Sequence, residues 1–247
     1  MSLMPRKPEP SSQYQQSRAI MTNESRFITL AGVAGCLGAI LVGIGEFSMQ
    51  FAPNSDIMDV TEYLYFNDVS AERLSFGHFI AVLSAPLYML GYWHLSKKLE
   101  PAGPKQAKAF FLIGAYAFAV GTAWIGQRFF LGATVHEIAA APEGPALINL
   151  QALLVNFSEH NEPFVNVLRV AMVVVSVLWV KLILSGKTAF PKWMAIFNPA
   201  VLLIVMVMLY IFKTTLGLYV FPVAMNATHF IIFALAMLTG RQKTIPT

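Results

Sequence analysis

The sequence is poor in charge, in cysteine and in every short pattern that marks soluble chemistry. Only 12% of its 247 residues are Asp, Glu, Lys or Arg, against about 25% in an ordinary soluble domain, which excludes a water-covered globule. The single cysteine, Cys36, excludes an intrachain disulfide framework and a multi-cysteine metal cluster. There is no Walker lysine loop, no GxGxxG and no GxSxG elbow, and Ser84, Ser158 and Ser176 have no base partner at a recognisable spacing, so nucleotide binding and serine hydrolysis lose their usual signatures. No HExxH occurs and no two histidines lie four apart. His136-Glu137 and Glu159-His160 are adjacent pairs only. Zinc at the outer histidines (His78, His136, His160) and a haem between His78 and His229 are conceivable, but the spacing selects neither, and no metal or cofactor is expected. The formal charge of +4 comes from basic residues that flank apolar segments, not from a patch interleaved with aromatics, which points away from nucleic acid.

What is abundant is hydrocarbon. The chain is 56% hydrophobic with 19 Phe and 12 Met, and its mean hydropathy is +0.60. Six apolar stretches, at 27–51, 74–96, 107–131, 163–184, 193–213 and 216–239, each approach the ~20 residues that cross a bilayer as a helix. The expected fold class is therefore all-α, an integral membrane bundle of six transmembrane helices occupying 27–240. Residues 1–26 read as a disordered polar tail and 241–247 as a short terminal tail. Val33-Ala34-Gly35-Cys36 matches a lipoprotein processing box, but the stretch between Arg26 and that box is shorter than the roughly 7 to 15 apolar residues of a signal core. The first span reads as a retained helix.

Linker charge sets the orientation. Arg6, Lys7, Arg18 and Arg26 precede the first span; Lys97, Lys98, Lys105 and Lys108 follow the second; Lys187 and Lys192 follow the fourth; Arg241 and Lys243 close the chain. The first linker instead holds Asp56, Asp59, Glu62, Asp68 and Glu72, and the third holds Glu137, Glu143, Glu159 and Glu162. By the excess of Lys and Arg in cytoplasmic loops, both termini lie inside. In the third linker, Pro142-Glu143-Gly144-Pro145 breaks one helix, and residues 146–157 carry Leu147, Leu150, Leu153, Leu154 and Phe157 at helical spacing. That segment is too short to span, so it reads either as a short interfacial or re-entrant helix or as part of a plain connecting hairpin.

Polar residues inside the spans are the candidate site. On the first span Ala31, Gly35, Ala39 and Gly43 form a stripe of small residues, suited to close helix packing or to a helix–helix oligomer, and Glu46 and Gln50 continue it. His78, Gln127, Arg128, Asn166 and Arg169 fall near the outer ends of their spans, and Asn226 and His229 nearer the middle of the sixth. An ionisable group within a bilayer costs about 2.5–3.5 kcal/mol at the helix centre and usually faces the protein interior. Two arrangements follow. In one, Glu46, His78, Gln127, Arg128, Asn166, Arg169, Asn226 and His229 line an outward-opening polar pocket for an amphipathic, anionic or lipid-like ligand. In the other, Glu46 pairs with Arg128 or Arg169 as a structural tie in a non-enzymatic scaffold or partner subunit. Transport of a small solute or proton is a third possibility. No reaction is legible.

Gly45-Glu46, Glu72-Arg73-Leu74 and the run Leu87-Tyr88-Met89-Leu90-Gly91-Tyr92-Trp93-His94-Leu95 resemble a family of uncharacterised multi-pass bacterial membrane proteins of unknown function. The resemblance covers the first hundred residues. It implies an all-helical membrane fold, in a bacterial plasma membrane, and no particular activity.

Overall fold

A computed structural model of the chain describes residues 12–58 and 63–239, with side chains from residue 23 onward; the parts of both expected tails at 1–11 and 241–247 lie outside the described residues. Among the described residues all regular structure is helical. Helix α1 is Ser12–Gln50, α2 is Ala71–Ser84, α3 is Pro86–Leu99, α4 is Pro104–Ala140, α5 is Pro145–Leu184, α6 is Pro199–Ile211, α7 is Thr215–Val220 and α8 is Ala224–Thr239. Helix α1 thus starts well ahead of the apolar stretch, where Gln, Arg, Ala and Met are good helix formers.

Punctuation explains the boundaries. Ser70 caps α2 by accepting from the Arg73 amide, and Asn198 and Thr214 cap α6 and α7 in the same way. Such caps satisfy amides that have no partner within the helix. Pro86, Pro104, Pro145 and Pro199 each open a helix, where the missing N–H costs nothing. Pro86 also divides the second apolar stretch into α2 and α3, which together form one long span.

Among the described residues five helical segments are long and apolar enough to cross a membrane: Asn23–Gln50, Ala71–Ala102, Pro104–Ala140, Pro145–Leu184 and Thr215–Thr239. The expected fifth span, 193–213, is not one of them. Its first part is a 3-10 turn, Lys192–Ile196, and Asn198-Pro199 restarts the chain as α6, only 13 residues long. At 1.5 Å per residue that helix covers about 20 Å of a core about 30 Å thick. In the third linker the connecting-hairpin alternative is the one that fits. No separate interfacial or re-entrant helix forms, because α5 runs without a break for 40 residues through Pro163 and the connection from α4 is a turn at 141–144. Gly144, at φ 143°, makes that turn, a conformation that glycine adopts freely.

The helices close into a ring. Helix α1 packs on α2, α3 and α8; α4 packs on α2, α3 and α5; α6 joins α5 to α7 and α8. The seam between α1 and the second span is backbone against backbone. A Cβ on Gly35 would lie 2.5 Å from the Cα of Gly91, and one on Gly45 would lie 2.7 Å from the carbonyl oxygen of Gly77. The small-residue stripe is therefore occupied within the chain: Gly35 meets α3, Gly43 meets Asn226 of α8, and Ala31 and Ala39 are buried.

This seam makes a direct prediction. Gly91→Leu forces α1, α3 and Phe233 apart, and overpacking of this kind costs about 1–3 kcal/mol. The melting temperature in detergent should fall, while Val33→Leu, on an exposed position of α1, should leave it unchanged. Equal melting of the two variants would show that the seam is looser than described.

Candidate functional site

The polar side chains gather into two clusters joined through α1. The inner one sits where α1, α3 and α8 meet. Asn226 Nδ2 donates to Glu46 Oε2, and the Tyr88 hydroxyl donates to Asn226 Oδ1. One turn along each helix, His229 Nδ1 lies 2.7 Å from the Met225 carbonyl oxygen and Nε2 lies 2.8 Å from the Tyr92 hydroxyl. A carbonyl oxygen only accepts, so Nδ1 carries the hydrogen, and in the neutral ring Nε2 accepts from Tyr92. Aromatic rings enclose this pair: Phe118 meets His229 edge-on at 4.9 Å, and Tyr88 and Phe233 close the remaining sides at 5.5 and 5.9 Å. Both ring nitrogens of His229 are thus engaged, and His229 and Asn226 are 1% and 3% exposed.

The outer cluster is built around Arg128. Its guanidinium is 3% exposed and lies over four rings, with Cζ 5.0 Å from the centroid of Trp124, 5.5 Å from Tyr63, 5.6 Å from Phe66 and 5.8 Å from Tyr65. Cation–π attraction of this kind strengthens when water is excluded. Nη2 donates to the Tyr65 hydroxyl and, at 3.4 Å, to Gln50 Oε1. Nε is buried with no hydrogen-bond partner. Three of the four rings belong to the first linker, which folds back over the helix ends. Burial pushes both the Tyr63 and the Tyr65 hydroxyl up to about 12, so both stay neutral near pH 7. Tyr63 donates to Glu162 at 2.7 Å, and its φ of 53° is unusual for an aromatic residue. Its ring is held from both sides, by Glu162 and by Arg128.

Four of the eight expected site residues therefore belong together: Glu46, Asn226 and His229 inside, and Arg128 one step further out. Gln127 lies beside the outer cluster: in the amide orientation that satisfies its neighbours, the wholly buried Asn161 donates to Gln127 Oε1 at 3.1 Å and accepts from Trp124 Nε1. The other three residues lie elsewhere. Asn166 and Arg169 are exposed on α5 and bond each other, Nη1 donating to Oδ1 at 3.1 Å. His78 packs between α2 and α4 against Phe79 and Phe129, with Nδ1 buried and unpartnered. The tie expected from Glu46 to an arginine is absent as a contact: neither Arg128 nor Arg169 comes within 4.0 Å of Glu46, and among the described residues the ion pair at that distance is Lys97–Glu100.

The cluster is also not open toward the first linker, because Tyr63, Tyr65 and Phe66 lie across it. Between α1 and α8 runs a shallow groove of about 380 Å³, lined by Ala39, Gly43, Phe47, Val223, Ala227 and Phe230, with Asn226 on its floor.

Comparison with known proteins adds the family. A family model described as "Family of unknown function (DUF6796)" matches residues 19–243. The chain belongs to that family. The matched region takes in both polar clusters, the first linker and the groove. No curated protein and no solved structure matches the chain. Among the described residues no three His, Cys, Asp or Glu side chains group as a metal site requires, and His136 and His160 bond backbone carbonyls of Phe66 and Asn156 instead.

Sequence reasoning did not find Tyr63, Tyr65, Tyr88, Tyr92 or Asn161. Tyr88 and Tyr92 lie one helical turn apart, which does place both hydroxyls on one face of α3. The two linker tyrosines carry no such periodicity.

Tyr65→Phe removes one of the two acceptors of Arg128 Nη2, leaving Gln50, and keeps the ring. A hydrogen bond to a charged group is worth about 1.5–3 kcal/mol, so this variant should melt earlier and its first linker should be cut faster by protease. Unchanged cleavage would mean that the rings alone hold the linker down.

Proposed function

We propose that this is an integral membrane protein that binds an amphipathic, lipid-like ligand, its polar head at Asn226 and Glu46 and its hydrocarbon in the groove between α1 and α8. One observation carries the reading. Asn226 lies on the floor of an apolar groove and is also hydrogen-bonded to Glu46 and Tyr88 within the bundle. Elsewhere the polar interior is covered, Arg128 by the linker and His229 by aromatic rings. A molecule dissolved in the bilayer reaches Asn226 without displacing either cover. Pockets that combine apolar walls with few, well-placed polar groups are the usual form of small-molecule sites. The acid beside Asn226 favours a neutral or cationic head over an anion.

A second reading keeps the anion. Among the described residues Arg128 Nε has no partner and no carboxylate lies within 4.0 Å of the guanidinium, so an acidic head that displaced Tyr65 would complete its donors. The scaffold and transport readings rest on no comparable observation.

The topology we infer has six crossings with both termini on the Lys-rich side. What supports the sixth is the reach of 192–211. At one end the Trp179 indole N–H donates to the Met194 carbonyl at 2.9 Å and Thr239 Oγ1 meets Met194 Sδ, while at the other Tyr210 donates to Asp56 of the first linker at 3.1 Å. The 3-10 turn and α6 together run beside α8 for its whole length.

Two experiments decide these points. Native mass spectrometry of protein released gently from its membrane should find a bound lipid-like mass that Ala227→Phe, which fills the groove, removes. Loss in Arg128→Gln but not in Ala227→Phe would select the second reading, and no bound mass in the wild type would defeat both. In a Cys36→Ala background, a cysteine at Glu143 should react with an impermeant maleimide in intact cells and one at Ser185 only after the membrane is opened. The reverse pattern would overturn the orientation.

A further inference from the structure

The opposite, Lys-rich end of the bundle carries a second recess, formed by the last turn of α3, the 3-10 turn Glu100–Ala102 and the first turns of α4. It encloses about 400 Å³. Lys97, Lys105 and Lys108 line it together with Trp93, Glu100 and Phe111. Pro104, Lys108 and Phe111 fall on one face of α4 and Lys105 lies one turn before Lys108, because residues three and four apart are neighbours on a helix. Glu100 is the one acid among the lining residues, and Lys97 Nζ meets its carboxylate at 3.1 Å, so three lysines against one glutamate leave the recess net positive. Its wall turns apolar along Trp93, Ala107 and Phe111, toward the hydrophobic part of the span. The Trp93 ring is fixed edge-on by Phe27 of α1 at 5.2 Å.

We propose that this recess is a binding site for one anionic phospholipid, its phosphate among Lys97, Lys105 and Lys108 and an acyl chain along Trp93 and Phe111. The occupant follows from the two ends of the recess. A positive mouth at the helix ends with an apolar floor running into the span matches an acidic headgroup joined to hydrocarbon, and a free phosphate would leave the floor empty. Basic pockets between membrane helices on the cytoplasmic side take acidic headgroups in this way, and basic residues near an anionic membrane surface are attracted individually. The site is independent of the Asn226 groove and stands whether or not that groove holds a ligand.

The test uses the full chain in mixed-lipid nanodiscs and counts retained lipid by native mass spectrometry, comparing phosphatidylglycerol with phosphatidylcholine. The wild type should retain phosphatidylglycerol selectively, and each lysine removed in Lys105→Gln and Lys108→Gln should weaken retention by about fivefold. The Lys105→Arg/Lys108→Arg protein should keep it, and Lys187→Gln/Lys192→Gln, which removes the same charge elsewhere on that end, should also keep it. Equal retention of the two lipids, equal loss in the Lys187/Lys192 control, or displacement of the lipid by millimolar glycerol phosphate would overturn the site. Unchanged retention in the Lys105/Lys108 glutamine variant would do the same.

Discussion

A carboxyl and a guanidinium buried inside an apolar bundle need partners there, because an unpaired buried charge is costly. In this chain the requirement is met by helix contacts close enough to bring side chains from distant segments together. Gly35 against Gly91 and Gly45 against Gly77 let the second span lie directly on α1. That contact sets Tyr88 and Tyr92 opposite α8, where they meet Asn226 and His229, and Asn226 in turn meets Glu46 of α1. Three helices are joined by hydrogen bonds whose geometry depends on four glycines having no side chain. A Leu in any of these positions would separate the partners before it touched the polar groups.

The second charge is handled differently. Among the described residues Arg128 has no acid within 4.0 Å, and it is held by rings, most of them from the first linker. The guanidinium is flat and weakly hydrated, so it stacks on aromatic faces where an ammonium would not. The acidic linker thereby becomes a cover, fixed at one edge by Tyr63 to Glu162 on α5 and at another by Arg73, whose Nη2 donates to the Phe51 carbonyl at 2.7 Å. The shallow groove between α1 and α8 reaches the inner cluster at Asn226.

Much of the fold was legible because the solvent writes it plainly. Long apolar runs marked the long helices, and Pro142-Glu143-Gly144-Pro145 marked the break between α4 and α5. The fifth apolar stretch reads as one span at 193–213, and composition cannot see that Asn198-Pro199 restarts the helix, leaving α6 at 13 residues. The third linker left two readings open, and composition could not choose between them: Pro142-Glu143-Gly144-Pro145 is a real break, and the leucine-rich segment after it continues into α5. Of the site, Glu46, Arg128, Asn226 and His229 could be found by asking which polar groups sit where they are costly. Arg169 and Asn166 satisfied the same question and yet face outward, since periodicity gives a face and not its neighbour. The tyrosines stayed hidden because an aromatic residue in a membrane helix or linker has many ordinary reasons to be there.

The central claim is that the polar interior meets the bilayer at Asn226. A high-resolution map of the protein in nanodiscs made with its native lipids tests it most directly. The account predicts elongated non-protein density in the groove between α1 and α8, ending within hydrogen-bond distance of the Asn226 amide or the Glu46 carboxyl. A groove filled only by disordered lipid, with ordered density instead against Arg128 beneath a displaced linker, would contradict it.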